Sequence, residues 1–434
     1  MLVEFSVGNF WSFKEIQTLQ MRAAKISSKY PKLDEDNVVV VDEQLSLLKS
    51  KAVFGANGSG KSNLVRAMEI PFFILFNCVK DMNTLKGSII PFLLDKEASN
   101  APSYFQVIFI FDNVLYRYGF EADVNFIHSE WLFGKKLNTE KNVREKQFFI
   151  REKMKIQINE SIFKEAKNFA KASEGAMPLY RENVLFLSVL AAWNVQLPLN
   201  IFNYFANMIF LVNEMQEGLN NSMALNSMSS PQFRNKITDL LKSIDPTIKG
   251  IQRIEYKEEG INSSLGEFKI TDESANKVDD VAIIRTYPTD EANREIFSLS
   301  IQEADGTKRI FALSPYIFYA LERGGILAID EFDAKLHPLL TRKIVELFHS
   351  PSTNPHNGQL VFITHDSNLL DPQLLRRDQI SFAQKDKNGA TELYSLVEFK
   401  GVRNDASFEK DYLQGKYRAV PTNLNQLEAL FENH

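Results

Sequence analysis

A glycine-rich segment with one lysine constrains the fold of this chain more than any other feature. It reads Gly55-Ala56-Asn57-Gly58-Ser59-Gly60-Lys61-Ser62, with glycine, lysine and serine at the fixed positions of a phosphate-binding loop. Lys51–Phe54 predicts a strand before the loop, and a helix is predicted from about Lys61. Because a chance glycine-rich turn would lack this strand-then-helix context, the segment predicts a nucleotide site.

Each residue type in the loop has a physical role in binding a triphosphate. Glycines let backbone N–H groups turn inward around the phosphates, and the start of the helix adds partial positive charge. We expect Lys61 to contact the β- and γ-phosphates of ATP and the Ser62 hydroxyl to ligate Mg²⁺. The predicted ATP-binding residues are Gly55, Asn57, Gly58, Ser59, Gly60, Lys61, Ser62 and Asn63.

A short apolar stretch that ends in two carboxylates is the second candidate element. Ile326–Ile329 is typical of a strand buried in a parallel sheet, and Asp330-Glu331 follows it directly. Such strand ends face the ligand crevice of an open α/β sheet. We expect Asp330 to hold Mg²⁺ and Glu331 to act as general base on the attacking water. The alternative is that the pair only caps a helix beginning near His337-Pro338.

A third apolar strand ends in a polar triplet. Leu360–Ile363 is followed by Thr364-His365-Asp366. His365 is a candidate to hydrogen-bond the γ-phosphate, because its strand comes directly after the predicted carboxylate strand. The alternative is a purely structural histidine, which is the usual role of a single histidine at a strand end.

Composition excludes several classes of protein. The net charge is −5, so any contact with nucleic acid would have to be local, and DNA binding is left open. The single cysteine, Cys78, forms no intrachain disulfide, and the histidines show no metal-ligand spacing. The sequence shows neither a membrane span nor a signal peptide, so we expect no membrane association and a cytoplasmic location. The 34 phenylalanines predict an aromatic core.

The order of predicted elements gives an α/β fold with a mixed sheet, an N-terminal antiparallel β lobe and an inserted helical subdomain. Residues 138–245 form the predicted insertion, flanked by two halves of the nucleotide-binding part, 1–137 and 246–434. Asp112-Asn113 predicts a hairpin turn, and Pro315 a kinked helix. The predicted strands, besides those next to the site motifs, are Leu2–Phe5, Ile16–Met21, Tyr104–Phe111, Val114–Glu121, Gly250–Tyr256, Glu267–Thr271, Val281–Thr286 and Ile296–Ile301. The predicted helices are Asn200–Val212, Phe233–Ile244 and Lys308–Leu321.

Taken in this order, the three site elements resemble the head of ABC-type ATPases, including SMC-like chromosome and repair ATPases. The resemblance implies a P-loop NTPase of the ABC-head type, in which two copies close around ATP. It makes His365 a switch histidine and Asp333 part of the loop that crosses the dimer. The segment Glu303–Arg309 stands where these ATPases carry their signature, and Ala304 stands where serine is expected. The signature residues implied to contact the opposite subunit's γ-phosphate are Asp305, Gly306 and Thr307.

A closer resemblance is to stand-alone ABC ATPases of bacterial phage-defence and abortive-infection systems. It is carried by Val7–Phe13, Gly55–Asn63, the Asp-Gly-Thr signature, Asp330–Pro338 and Tyr412–Pro421. The nearest types are the PARIS ATPase, whose partner is a TOPRIM-type nuclease, and the AbiL type. The resemblance implies ATP and Mg²⁺ as cofactors and a homo-oligomer, at least a dimer and alternatively a hexamer. It also implies a sensor or scaffold that controls a separate toxic effector and responds to a phage-encoded trigger.

A DNA-repair or DNA-maintenance ATPase of the SMC-like kind is the alternative function. It predicts a basic stripe on one face and salt-sensitive DNA binding. The net negative charge and the lack of sustained heptad repeats weigh against a DNA-maintenance ATPase. The atypical signature weighs against a transporter ATPase.

Some further residues admit two interpretations. An aromatic group near the N-terminus could stack on adenine or pack in the core, and we favour the core. Two arginines could approach phosphate or form surface salt bridges, and we favour the surface. The glutamine that links nucleotide to the helical lobe in ABC proteins has only a weak candidate. The aromatic group is Phe10, Trp11 and Phe13, the two arginines are Arg117 and Arg418, and the glutamine candidate is Gln106.

Overall fold

The computed structural model describes residues 1–137, 144–173, 178–213, 217–257, 277–287, 290–403 and 406–421. By its internal contacts the described chain divides into two units. Unit 1 comprises residues 1–213, 320–332 and 341–434, and unit 2 comprises 214–319 and 333–340. The division of the chain into an insertion at 138–245 and two flanking halves remains a prediction. Among the described helices, none has the length and apolar character needed to cross a bilayer.

The strands are numbered along the chain. They are β1 (Leu2–Gly8), β2 (Gln17–Gln20), β3 (Val38–Val40), β4 (Ser46–Leu48), β5 (Ser50–Phe54), β6 (Ser103–Phe111), β7 (Val114–Ala122), β8 (Ile127–Lys136), β9 (Lys146–Glu152), β10 (Lys155–Ile158), β11 (Ile209–Val212), β12 (Ile248–Lys257), β13 (Lys277–Tyr287), β14 (Asp290–Ser298), β15 (Ile326–Ile329), β16 (Gln359–Ile363), β17 (Ile380–Lys385) and β18 (Thr391–Ser395).

The α-helices are numbered in the same way. They are α1 (Pro31–Asp36), α2 (Lys61–Asn77), α3 (Thr84–Ser88), α4 (Lys167–Lys171), α5 (Phe186–Ala192), α6 (Gln196–Met208), α7 (Glu217–Ser227), α8 (Pro231–Ile244), α9 (Leu299–Gln302), α10 (Asp305–Arg323), α11 (Pro338–His349) and α12 (Phe408–Leu413).

An antiparallel sheet carries the N-terminal part of unit 1, as the alternating strands predict. Its described strands have the spatial order β10-β9-β8-β7-β6-β1-β2. Asp112 and Asn113 form the predicted hairpin turn, with φ of 48° and 58°, and Phe111 pairs with Val114. Positive φ at both central residues gives the turn twist that matches two antiparallel strands.

The helical structure expected from about residue 138 onward is wrong over 146–158. This stretch forms β9 and β10, which pair with each other and extend the sheet from β8. Along β9, Phe149 and Arg151 are buried while Glu152 is exposed, and Ile156 is buried in β10. The two-residue period of a strand therefore prevails over a composition rich in Lys and Glu. Further on, α4 to α8 give the helical content expected of the insertion.

A second sheet of unit 1 holds the strands predicted to be buried and parallel. In the described chain its order is β11-β15-β16-β5-β17-β18, parallel from β11 to β17, with β18 antiparallel to β17. The predicted strands Ile326–Ile329 and Leu360–Ile363 are confirmed. The helix predicted over Asn200–Val212 instead ends at Met208, because Ile209–Val212 pairs with β15. A short apolar run of this kind fits a helix or a buried strand equally well.

Unit 2 contains α7, α8, α9, most of α10 and an antiparallel sheet with the described order β12-β13-β14. The strands predicted over Gly250–Tyr256 and Val281–Thr286 lie within β12 and β13. The strand predicted over Ile296–Ile301 is too long, since α9 begins at Leu299 after a Ser298 cap. Pro315 lies inside α10 as predicted. The strand predicted over Glu267–Thr271 lies outside the described residues.

The core of unit 1 is strongly aromatic, as the phenylalanine content predicts. One continuous cluster of buried residues includes Phe105 and Phe109 from the antiparallel sheet, Val53 and Ile363 from the parallel sheet, and Leu64 from α2. Most of the largest fully buried side chains of the described chain are phenylalanines. Burial of this apolar area stabilises the base from which the phosphate loop projects.

Candidate active site

The predicted site elements lie at one edge of the parallel sheet. The phosphate loop follows β5, the carboxylate pair follows β15, and Thr364-His365-Asp366 follows β16. β16 lies between β5 and β15, and all three strands run in the same direction. Because parallel strands end at the same edge, the fold places the three motifs side by side.

Two glycines of the loop, Gly55 and Gly60, stand where larger residues would clash. A Cβ at Gly60 would lie 2.0 Å from Thr391 Oγ1 and 2.6 Å from Ser12 Oγ. A Cβ at Gly55 would lie 2.3 Å from the Ala383 carbonyl oxygen. Gly58 and Gly60 have φ of 75° and 94°, a region that favours glycine. The loop is thus held closely by neighbouring strands before the start of α2.

Lys61 is buried at the centre of the loop and is only 5% exposed. Its Nζ donates hydrogen bonds to the carbonyl oxygens of Gly55 (2.7 Å) and Ala56 (2.8 Å), with Ser59 Oγ at 3.5 Å. The ammonium group therefore sits inside the loop's curve, surrounded by backbone groups. The role of Lys61 toward phosphate remains a prediction from the motif.

The Ser62 hydroxyl donates a hydrogen bond of 3.2 Å to Asp330 Oδ1. Asp330 is 6% exposed, and the same Oδ1 accepts the backbone N–H of Glu331 at 3.1 Å. The backbone N–H of Asp330 donates to the Val212 carbonyl of β11 at 2.9 Å. The structure therefore joins the two motifs that were predicted independently to hold Mg²⁺.

Glu331 lies two residues after the end of β15 and has a left-handed backbone, with φ of 49°. The next residue, Phe332, is fully buried; its backbone N–H donates to the Ile363 carbonyl (2.8 Å) and its ring packs 5.0 Å from that of Phe362. This contact fixes the chain immediately after Glu331 to β16. A left-handed conformation at a non-glycine residue is costly and recurs at functional sites.

His365 is exposed at the end of β16, one residue after the fully buried Thr364. The backbone N–H of Thr364 donates to the Val53 carbonyl at 3.3 Å, and Thr364 Oγ1 accepts the Asp366 N–H at 3.0 Å. The triplet is thus anchored to β5, close along the strand to the phosphate loop. The role of His365 toward phosphate remains a prediction.

Two residues that support the loop were missed by the sequence analysis. Ser12 Oγ accepts from Asn63 Nδ2 (2.8 Å) and from Thr391 Oγ1 (2.8 Å), and Thr391 Oγ1 also lies 2.9 Å from the Ser59 carbonyl oxygen. The predicted ATP-binding residue Asn63 is thereby tied to the N-terminal turn. Ser12 was noted only as part of a family-like segment, and nothing local to Thr391 signals this contact.

The late Tyr412–Pro421 segment packs beneath the loop. The Tyr412 ring stacks on Phe382 with centroids 5.5 Å apart and lies 6.2 Å from Phe54, the last residue of β5. Tyr412 Oη donates to the Ala419 carbonyl at 3.2 Å. The segment therefore supports the strand that carries the phosphate loop, which gives this family-like motif a structural role.

The signature segment lies in unit 2. α10 begins at Asp305 rather than at the predicted Lys308, so Asp305, Gly306 and Thr307 form its first turn. A Cβ at Gly306 would lie 2.9 Å from the Lys335 carbonyl oxygen, in the loop that also contains Asp333. Within unit 2, the start of the signature helix is thus in close contact with the loop that follows the carboxylate pair.

Buried polar groups surround the opposite, amino end of β5. Burial lowers the pKa of Lys51 to about 8, and its Nζ donates to the Asp378 carbonyl at 2.5 Å. Burial and then the charge of Lys49 lower the pKa of His349 to about 3. His349 Nε2 lies 2.7 Å from Ser50 Oγ, and Lys49 Nζ donates to the His349 carbonyl at 3.0 Å. These groups support β5 from the end away from the nucleotide loop.

Most of the residues with two interpretations follow the favoured one, which is core packing for the aromatic group and a surface position for the arginines. Trp11 is the exception. Phe10 and Phe13 are buried, whereas Trp11 is half-buried. Arg117 forms a 2.7 Å ion pair with Glu145. The other two do not reach the loop in any contact described: the Arg418 guanidinium lies 4.5 Å from the Tyr394 ring, and Gln106 Oε1 accepts from Trp131 Nε1 at 3.2 Å.

The residues at this edge fit ATP with Mg²⁺. A hydroxyl and a carboxylate oxygen, Ser62 Oγ and Asp330 Oδ1, converge within 3.2 Å beside the phosphate loop. Hard oxygen ligands of this kind suit Mg²⁺, which keeps several waters and takes few protein ligands. Among the described residues, no cluster of three or more His, Cys, Asp or Glu side chains forms a separate metal site.

Comparison with protein families gives a match that spans most of the site. The family described as "AAA domain, putative AbiEii toxin, Type IV TA system" matches residues 52–371. The match begins in β5 and extends beyond β16, so it covers the loop, the carboxylate pair and His365. A comparison with curated proteins gives no match.

Proposed function

The chain belongs to the family of AAA domains described as putative AbiEii toxins of type IV toxin–antitoxin systems, and from this premise we propose a Mg²⁺-dependent ATP hydrolase that controls a separate toxic effector. Membership indicates an AAA-type ATPase domain of the abortive-infection kind. The observation that carries the proposed chemistry is the 3.2 Å contact between Ser62 Oγ and Asp330 Oδ1.

The proposed reaction uses groups that lie at the edge of the parallel sheet. Lys61 and the loop N–H groups bind the β- and γ-phosphates, and Ser62 and Asp330 hold Mg²⁺. When bound, Mg²⁺ neutralises charge on the phosphate oxygens. Glu331 accepts a proton from water as the water oxygen attacks the γ-phosphorus, and the bond to the β–γ bridging oxygen breaks. Phe332 holds the backbone after Glu331 in place through β16.

We further propose that two or more copies complete the site. The first turn of α10, with Asp305, Gly306 and Thr307, would place backbone N–H groups against the γ-phosphate bound by another copy. Asp333, in the loop that touches this turn, would lie at the same interface. Because ATP would then bind best to the assembled form, nucleotide state would select assembly state.

The proposed biological role is that of a sensor or scaffold in anti-phage defence. The ATP-bound assembly would hold an effector, proposed to be a TOPRIM-type nuclease as in PARIS, until a phage-encoded trigger releases it. The family description, which names a toxin of a toxin–antitoxin system, supports control of a toxic activity.

The test is to purify the full chain together with the product of the adjacent gene, with and without ATP. A complex that forms with ATP and fails to form with Lys61→Ala supports the proposal. ATP-independent DNA binding that is lost as salt is raised, with no protein partner, would instead support the SMC-like alternative.

A further inference from the structure

A buried carboxylate lies just before the signature turn, which is the first turn of α10, Asp305–Thr307. The carboxylate belongs to Glu303, whose side chain is 5% exposed. Arg285 of β13 donates to it from Nε (3.2 Å to Oε1) and from Nη2 (2.9 Å to Oε1 and 2.7 Å to Oε2). A two-pronged pair of this kind fixes direction as well as distance. Arg285 therefore holds the chain two residues before the signature turn.

The same guanidinium is braced through its remaining nitrogen. Arg285 Nη1 donates hydrogen bonds to Asp245 Oδ2 and Thr247 Oγ1. Asp245 ends α8, and its backbone N–H donates to the Leu241 carbonyl at 2.9 Å. Because all three nitrogens of the guanidinium have acceptors, Arg285 would have to break its contact with the end of α8 to turn away from Glu303.

Helix α8 is also attached to the other end of α10. Phe233, near the start of α8, packs against Phe318 and Tyr319 near the end of α10, with ring centroids 5.8 Å and 4.7 Å apart. The end of α8 is joined through Arg285 to the residue two positions before α10. These contacts all lie within unit 2. The helix that carries the signature turn is thus held by α8 and Arg285 at both of its ends.

The burial of Glu303 makes its contact with Arg285 more than packing. A carboxylate that is 5% exposed has lost nearly all of its water, and Arg285 supplies the compensating charge. If a neutral residue replaced Arg285, the carboxylate would be stabilised by turning toward solvent. Because Glu303 lies two residues before Asp305, that rotation would displace the signature turn.

We propose that Arg285 is a positioning residue for the contact between the signature turn and the γ-phosphate held by another copy, and that it acts through Glu303. This rests on the proposed function, in which the signature turn makes that contact. Arg285 itself touches neither nucleotide nor Mg²⁺; it sets where the backbone N–H groups of the turn point. Since a misplacement of about 1 Å can cost a reaction about 100-fold in rate, loss of Arg285 should lower turnover without weakening the first binding of ATP to the phosphate loop.

The first experiment follows backbone amide exchange in the nucleotide-free full chain. Arg285→Gln is expected to exchange about tenfold faster than wild type over 303–309, with exchange over 55–63 unchanged. Arg294→Gln is the matched control, because Arg294 is exposed on the neighbouring strand β14. Wild-type exchange over 303–309 in Arg285→Gln would overturn the proposal, as would equal acceleration over both segments.

The second experiment measures ATP affinity, the ATP-dependent gain in mass and ATP hydrolysis in Mg²⁺. Arg285→Gln should bind ATP within about twofold of wild type, lose the gain in mass and show a kcat lower by about tenfold or more. Arg285→Lys keeps the charge but not the two-pronged geometry, so it should recover part of the assembly and part of kcat. A loss of ATP affinity as large as the loss in kcat would contradict a positioning role.

Glu303→Gln tests the route by which Arg285 acts. If the two residues share one contact, the variant with both substitutions should hydrolyse ATP no more slowly than the slower single variant. Losses that multiply in the double variant would rule out action through Glu303. If the wild type neither hydrolysed ATP nor gained mass, the proposed function would fail, whereas amide exchange of the nucleotide-free chain would still decide whether Arg285 holds the signature turn.

Discussion

Ser62 donates a hydrogen bond to Asp330 across 268 positions of the sequence. The contact joins the start of α2 to the end of β15. In the sheet, β15 is the second strand along from β5, which precedes the phosphate loop. The hydroxyl and the carboxylate were each predicted to ligate Mg²⁺ from separate motifs. Their contact brings the two proposed Mg²⁺ ligands within 3.2 Å of each other.

Removing the Ser62 hydroxyl or the Asp330 negative charge should abolish the benefit of Mg²⁺. We expect Ser62→Ala and Asp330→Asn to reduce ATP hydrolysis about 100-fold or more, because phosphate charge would no longer be neutralised at the loop. Their ATP affinity in Mg²⁺ should fall to the wild-type value in EDTA. Phosphate release and calorimetry test both, with exposed Ser352→Ala as control. Unchanged Mg²⁺ dependence in both variants would remove these residues from the metal site.

Gly306 should be needed for assembly rather than for the first binding of ATP. A Cβ there would lie 2.9 Å from the Lys335 carbonyl, so Gly306→Ala must shift the start of α10 or the loop of Asp333. We expect ATP affinity within about twofold of wild type and loss of the ATP-dependent gain in mass by light scattering. Gly87→Ala is the control, since a Cβ at Gly87 meets no atom within 4 Å. Normal ATP-dependent assembly of Gly306→Ala would contradict the proposed interface.

His349 should make stability depend on pH. Its pKa is lowered from 6.5 to about 3 in the folded chain, chiefly by burial and also by Lys49. The unfolded chain therefore binds a proton that the folded chain excludes, so stability is full above about pH 6.5 and falls as pH drops toward 3. This group alone should lower the free energy of unfolding by roughly 2 kcal/mol between pH 7.5 and 5.

Denaturant unfolding at the two pH values checks this prediction. His349→Gln should show a smaller loss of stability between them than the wild type, whereas exposed His356→Gln should match the wild type. An identical pH dependence in His349→Gln would show that His349 takes up protons as readily folded as unfolded.

Local patterns were enough to predict the elements next to the chemistry. Ile326–Ile329 is apolar throughout and too short for a helix, and Asp112-Asn113 are residues that adopt positive φ readily, so both gave correct predictions. By contrast, Ile209–Val212 looked like the end of a helix. Its strand form depends on pairing with β15, far later in the chain, which no local pattern reveals.

The residues that support the phosphate loop could not be predicted from local patterns either. Thr391 reaches Ser12 across 379 positions, and the only local sign of this contact is that both residues carry hydroxyls. Likewise, β9 and β10 were read as helix because their Lys and Glu content masked an alternation that matters only once β8 is beside them. Sequence spacing indicated the groups that are proposed to act on phosphate, whereas the residues that support them could be identified only from the fold.

Phosphate release by Glu331→Gln in Mg²⁺-ATP tests the central claim most directly. Glu331 is proposed to take the proton from the attacking water, and glutamine keeps the shape of the side chain without the basic oxygen. We expect wild type and Glu152→Gln, an exposed control, to hydrolyse ATP. Glu331→Gln should bind ATP with wild-type affinity, accumulate as the larger assembly and release phosphate at background rate. Hydrolysis by Glu331→Gln at the wild-type rate would contradict the account.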